Sequence, residues 1–244
     1  MVFSTVSARR AAWQAFTKES GGSYGGGSML RNIIEHVEVP KGNWVILLDV
    51  NARKRPHKVR MRVAFKLTDT ALTPEFSLDE GSHFQKLIGR LGLDVGHSIF
   101  DRRFHLSAQS PEFALNLFKA PEIRDICLKQ PQLSLKLRNR YSLIKTRFPK
   151  GVFELCFEEK GREIHDAERL TQTMNLLLTM LNHLKEKGIV ADEHPGIRLK
   201  PGPDGRNGRL AWERLSTQKG FQKKDDIRRG ALPGERLPPS PLAG

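Results

Sequence analysis

Residues 83–137 constrain the fold most, because the hydrophobic period changes there three times. Phe84, Leu87, Ile88 and Leu91 fall at helical spacing and make one apolar face. Gly89 weakens that helix, and Gly92 is placed to stop it. Residues 99–106 then alternate, with Phe100, Phe104 and Leu106 on one side and Asp101, Arg103 and His105 on the other, which predicts a half-buried strand interrupted by Arg102. Ser110-Pro111-Glu112 reads as a helix start, with Phe113, Leu117 and Phe118 as its face. Pro121 opens a second helix carrying Ile123, Ile126 and Cys127, and Pro131 ends it. Leu133, Leu135 and Leu137 alternate with Ser134, Lys136 and Arg138, a second half-buried strand.

The flanking sequence extends the same pattern. Trp44 to Val50 is rich in strand formers, and Lys54-Arg55-Pro56 marks a turn. From Lys58 the chain alternates: Val59, Met61, Val63, Phe65 and Leu67 face inward, while Lys58, Arg60, Arg62 and Lys66 face out. Val152 to Glu159 places Phe153, Leu155 and Phe157 on one side and Glu154, Cys156 and Glu158 on the other. Asp166 caps a long helix in which Ala167, Leu170, Met174, Leu177, Leu181 and Leu184 recur every three or four residues, widened by Leu178 and Met180. Lys185, Lys187 and Gly188 end it. The fold class expected is α+β, an antiparallel sheet covered on one face by helices, with the 166–187 helix longest. A helix from Ser7, with Ala11, Ala12, Ala15 and Phe16 on one side and Trp13 flanking, precedes it, although the Ser- and Arg-bearing start also suits a mitochondrial transit peptide. Gly21 to Ser28 follows a helix and lacks Gly-Lys-Ser/Thr, so it reads as a flexible connector and not as a phosphate loop.

Composition sets the remaining boundaries. The last 50 residues hold seven of the 14 prolines and eight of the 21 glycines, with eleven Lys and Arg against five Asp and Glu from Gly196 onward. Such a segment buries too little surface to offset its chain entropy. The expected organisation is therefore an N-terminal helix and connector over 1–28, an α+β domain over 29–195, and a disordered basic tail over 196–244. Ile197-Arg198-Leu199 is left as a short edge strand before that tail.

The string LGLDVGHSIFDRRFHLSAQSPEFALNLFKAPEIRDICLKQPQLSLKLR is similar to a family of bacterial soluble α+β proteins with no assigned activity. Ala11-Ala12-Trp13, Gly21-Gly22, Trp44 with Asp49, Phe148-Pro149-Lys150-Gly151-Val152 and Asp166-Ala167-Glu168-Arg169-Leu170 extend the resemblance over roughly residues 7–200. What it implies is a shared α+β fold. The chain departs from it after the Leu133 strand, where relatives tend to be acidic and this sequence has Arg138, Arg140, Lys145 and Arg147.

A net charge of +14 and a pI near 10.1 favour polyanionic partners. The basic groups singled out are Arg53, Lys54, Arg55, Lys58, Arg60, Arg62 and Lys66 on the hairpin, and Lys136, Arg138, Arg140, Lys145 and Arg147 beyond it. Like charges on one strand face repel, so a run of them is either a binding surface or an ordinary solvated face. Asp94, His97, Asp101 and His105 invite a metal reading, but on a strand Asp101 and His105 stand about 13 Å apart, too far to share an ion. Cys127 falls on an apolar helix face and reads as core. The two cysteines form no CxxC pair and suit a reducing, cytoplasmic compartment. The metalloprotease signature HExxH does not occur. The expectation is a non-enzymatic binding or scaffold protein, with no cofactor, that contacts an acidic protein. The alternatives are sequence-independent nucleic-acid binding, or an enzyme or small-ligand carrier with a pocket between the sheet and the long helix.

Overall fold

A computed structural model describes residues 2–27, 34–51, 58–81, 92–139, 147–159, 166–202 and 212–215. Helix α1 (Val2–Ser20) leads into β1 (Ser23–Gly25), β2 (His36–Lys41), β3 (Trp44–Asn51), β4 (Lys58–Lys66) and β5 (Phe76–Glu80). Helix α2 (Ser98–Arg103), β6 (Phe104–Ala108), α3 (Pro111–Lys119), α4 (Pro121–Lys129), β7 (Ser134–Arg138), β8 (Val152–Glu158) and α5 (Ala167–Glu186) follow. The ribbon of β9 (Ile197–Leu199) and β10 (Trp212–Arg214) comes last.

The first eight strands form one antiparallel sheet in the order β1-β2-β3-β4-β8-β7-β5-β6. The β4 to β8 pairing joins an N-terminal meander to a C-terminal half, with Arg60 opposite Glu158 and Lys66 opposite Val152. Period-two alternation sends Val59, Met61, Val63 and Phe65 to the helix-covered face, together with Phe153, Leu155 and Phe157 of β8. Helix α5 lies between that face and its neighbours, burying Leu170, Thr173, Met174, Leu176, Leu177, Met180, Leu181 and Leu184. Its start is held by Asp166, whose carboxylate accepts from the Glu168 amide at 3.0 Å.

Several local expectations change. Residues 98–103 are helical, and the strand begins only at Phe104. The reason is a side-chain device that alternation does not show: the Asp101 carboxylate accepts from the amides of Val95 (3.0 Å) and His97 (2.7 Å), and His97 Nδ1 accepts from the Phe100 amide. These bonds close a turn and start a helix. Arg103, expected to face out, donates to the carbonyls of Leu128 and Gln130, capping the end of α4. On α1 the buried positions are Ala12, Trp13, Phe16 and Ser20, while Ala11 and Ala15 are exposed. Trp13 is thus the centre of that stripe.

The glycine-rich connector contains a strand. Ser23, Tyr24 and Gly25 pair with Glu38, Val37 and His36. At Gly25 a Cβ would sit 2.3 Å from the His36 ring, so any larger residue there would have to displace that ring. The Glu35 carboxylate then ties α1 to this edge, accepting from Arg9 at 2.8 Å and from the Tyr24 hydroxyl. The helix expected over 83–91 and the turn at 54–56 lie outside the described residues. No helix among them is long and apolar enough to cross a membrane.

The expected boundary at residue 196 also moves. Residues 196–202 and 212–215 pack onto the sheet face opposite the helices, where Ile197, Leu199 and Trp212 join Leu47, Ala64, Phe148 and Val152 in a second apolar cluster. Three large side chains here, Ile197, Leu199 and Trp212, suffice to dock a stretch whose overall composition is that of a tail.

Because α1 is part of the main core, Phe16→Ala is expected to lower the unfolding free energy by about 3–5 kcal/mol. Urea denaturation followed by far-UV circular dichroism measures it. A loss under about 1 kcal/mol, as for a surface change, would mean that α1 is peripheral.

Candidate functional site

The face of the sheet opposite the helices carries the hairpin arginines. Arg60 and Arg62 are fully buried, and so are Asp49 and Glu154. They were expected to project into solvent; the face is right and the exposure is not. Strand β3 supplies the partner that makes burial tolerable. Within its apolar run Asp49 points to the same side as the arginines, directly opposite Arg60 in register. A buried carboxylate or guanidinium without a partner is very costly, so both must be paired and hydrogen-bonded.

The pairing is extensive. Arg60 grips Asp49 with two bonds, Nε to Oδ1 at 3.0 Å and Nη2 to Oδ2 at 2.8 Å. Arg62 Nη2 reaches the same Oδ2 at 2.8 Å, and its Nη1 reaches Glu154 Oε1 at 3.2 Å. Arg138 on β7 closes the far side of Glu154 at 2.9 Å. Lys136 lies 3.7 Å from Glu158, which stands opposite Arg60. Charge therefore alternates across four strands, the arrangement that favours cross-strand pairs. Burial alone would push the Asp49 carboxyl up; the two guanidiniums and the Gly202 amide hold it below its ordinary value.

The C-terminal segment completes this network with its backbone. Arg62 Nη2 donates to the Lys200 carbonyl at 2.8 Å, and Arg60 Nη2 to the Gly202 carbonyl at 2.7 Å. The Gly202 amide donates to Asp49 Oδ2 at 2.8 Å. One carboxylate on β3, two arginines on β4 and a strap some 140 residues later thus share one buried site.

The other predicted groups are scattered. Lys66 pairs with Glu193 at 2.6 Å on the surface. Arg147 is exposed beside Phe148, which packs on Trp212 with ring centroids 6.2 Å apart. Arg53, Lys54, Arg55, Arg140 and Lys145 lie outside the described residues, as does the side chain of Lys58. The β3–β4 connection leaves the sheet at the Arg60–Glu158 end, and the β7–β8 connection leaves beyond Arg138–Glu154, at the other. Across the nine residues of β4 those ends are about 26 Å apart. The hairpin turn and the 138–147 segment therefore do not begin as one patch.

Acid–base, thiol and metal readings find little here. Burial pushes the Cys127 thiol up to about 12 and the Cys156 thiol higher still, so both are protonated near neutrality. Among the described residues no three His, Cys, Asp or Glu side chains are grouped to hold a metal ion. Asp94 and Asp101 are instead engaged in turn and cap bonds. Where α5 meets the sheet, its buried polar side chain is Thr173, whose hydroxyl donates to the Arg169 carbonyl at 2.9 Å. Sequence reasoning missed Asp49 as the hub. The available signal was a lone acid inside Trp-Val-Ile-Leu-Leu-Asp-Val, opposite a strand bearing two arginines. No protein-family model matches the chain, and no curated protein is similar to it.

Asp49→Asn should remove the charge that balances two buried guanidiniums and cost about 3–5 kcal/mol of unfolding free energy. Because the folded carboxyl titrates below its ordinary value, its contribution is full above the unfolded pKa of about 3.9 and is lost as pH falls from there toward the folded value. Denaturant titrations from neutral pH down to about pH 3 should show a steeper acid loss in the wild type than in the variant. Parallel curves would remove Asp49 from that role.

Proposed function

We propose that the protein is a non-enzymatic binding or scaffold protein that contacts an acidic partner through basic groups on its surface. One observation supports this reading above the others. The buried network balances four cations, Arg60, Arg62, Lys136 and Arg138, with three carboxylates, Asp49, Glu154 and Glu158. It absorbs only one unit of a net charge of +14. The surplus is carried by other groups, the exposed Arg147, Lys150 and Arg214 among them, and such charge acts at long range.

The contact surface is narrower than the sequence suggests. Arg60 and Arg62 serve the fold and are withdrawn from it. Arg147 and Lys150, both exposed, flank Phe148, and exposed Arg214 follows Trp212 closely. These three cations stand around one apolar cluster, at the sheet end where Lys66 faces Val152. Arg53, Lys54, Arg55, Arg140 and Lys145 add further charge in the sequence. An acidic protein fits this distribution better than a nucleic acid does, because few aromatic side chains accompany the basic groups for base stacking.

The test compares a labelled polyglutamate peptide with a single-stranded oligonucleotide of equal charge, between about 50 and 200 mM salt. Arg147→Glu with Lys150→Glu is expected to weaken polyglutamate binding by about tenfold or more at low salt, and to flatten its salt dependence. Tighter binding of the oligonucleotide, lost on the same reversal, would favour the nucleic-acid alternative. No salt-sensitive binding of either would refute the reading.

A further inference from the structure

The strap over residues 196–202 is held in a way that differs from the rest of the fold. Strand β9 pairs with β10 in its own two-stranded ribbon and adds no ladder to the eight-stranded sheet. Its main chain is gripped by buried charged side chains: the Lys200 carbonyl by Arg62, the Gly202 carbonyl by Arg60, and the Gly202 amide by Asp49, all at 2.7–2.8 Å. Their bonds to the described strap residues reach backbone atoms at alternate residues, Lys200 and Gly202, the spacing of an extended chain. Main-chain bonds that give affinity, with pockets for alternate side chains that give selectivity, are the features of extended-peptide recognition.

Selectivity is supplied at three positions. Ile197 and Leu199 enter the apolar cluster of Leu47, Ala64, Phe148 and Val152, while Arg198 between them turns outward to Glu38. At Gly202 φ is +111°, and a Cβ would meet Ile34 Cδ1 at 2.1 Å. Only glycine fits the place where Arg60 and Asp49 hold both the carbonyl and the amide. The pattern accepted is apolar-x-apolar-x-x-Gly. At the near end Ala191 is fixed to the Lys66 carbonyl at 2.9 Å, and Gly196, five residues on, turns the chain with φ +71°.

We infer that this sheet face is a peptide-binding groove, filled in cis by the chain's own segment 196–202, and that it accepts in trans an extended peptide of another protein with the pattern apolar-x-apolar-x-x-Gly. The inference is independent of the acidic-partner reading, which concerns surface charge. The buried Asp49, Arg60 and Arg62 set the register by holding the main chain, and the apolar cluster and Ile34 select the side chains. The resident strap competes, so the apparent affinity for a peptide in trans falls with the fraction of grooves it leaves open.

The probe is a fluorescein-labelled peptide of the sequence GIRLKPG, added to the full chain. Gly202→Ala and, separately, Ile197→Asp each weaken the resident strap without changing the sheet. Both should bind the peptide about tenfold more tightly than wild type, and a peptide whose last glycine is alanine should lose that gain. Hydrogen exchange on the wild-type chain is the second readout. The Gly202 amide should exchange through a local opening with little denaturant dependence, while β4 amides exchange only on global unfolding. Saturating peptide should speed exchange at Gly202 and leave β4 unchanged. The proposal is overturned if neither variant binds the peptide, if the alanine peptide binds equally well, or if Gly202 opens only together with β4. That last measurement decides the matter even if a variant fails to fold.

Discussion

The structure depends on one carboxylate. Asp49 interrupts the apolar run of β3 and accepts hydrogen bonds from Arg60, Arg62 and the Gly202 amide. Without it, two guanidiniums would be left in a water-excluded layer with too little negative charge. With it, the second face of the sheet becomes an interior, although its side chains are those of a surface. The apolar cluster of Leu47, Ala64, Phe148, Val152, Ile197, Leu199 and Trp212 lies beside this polar network and helps to seal it. The two layers of the protein are therefore built on different physics. The helix side is held by apolar packing, and the strap side by charge-assisted hydrogen bonds beside a small apolar lid.

Much of the fold is legible because period is a local property. The alternation of Val59, Met61, Val63 and Phe65, and that of Phe153, Leu155 and Phe157, assigns each residue to its face correctly. Pro111 and Pro121 place the starts of α3 and α4 at their observed positions. The long stripe from Leu170 to Leu184 gives α5 its length and its buried side. What alternation does not carry is what covers each face. Arg60 and Arg62 read as solvated because, apart from Asp49 on the neighbouring strand, what covers them lies at Glu154 and residues 200–202, separations that no local window spans. The helix at 98–103 was hidden for a related reason. Its apolar pattern suits a strand, and the deciding bonds run from the side chain of Asp101 back to the amides of Val95 and His97.

Composition misled at the C-terminus. Proline, glycine and scarce apolar residues describe 196–244 as a whole, yet Ile197, Leu199 and Trp212 are each less than a tenth exposed. A segment can be poor in core residues on average and still dock where a receptive surface already exists. Here that surface offers donors and an acceptor aimed at backbone atoms, so the segment needs few side chains of its own. The same logic explains Gly25, where the missing side chain lets β1 approach the ring of His36.

The insertion of β8 beside β4 has a consequence for how the chain reaches this state. Arg62 and Glu154 meet across 92 residues, and Asp49 and Gly202 across 153. Contacts of such separation carry a large loop-closure cost and slow folding. During synthesis the β1–β4 meander is complete long before β8 emerges, and β4 is then an open edge. Arg60 and Arg62 on that edge are the kind of charge that deters pairing with another chain. The two residues would thus serve in turn as guards of an unfinished sheet and as the clasp of the finished one.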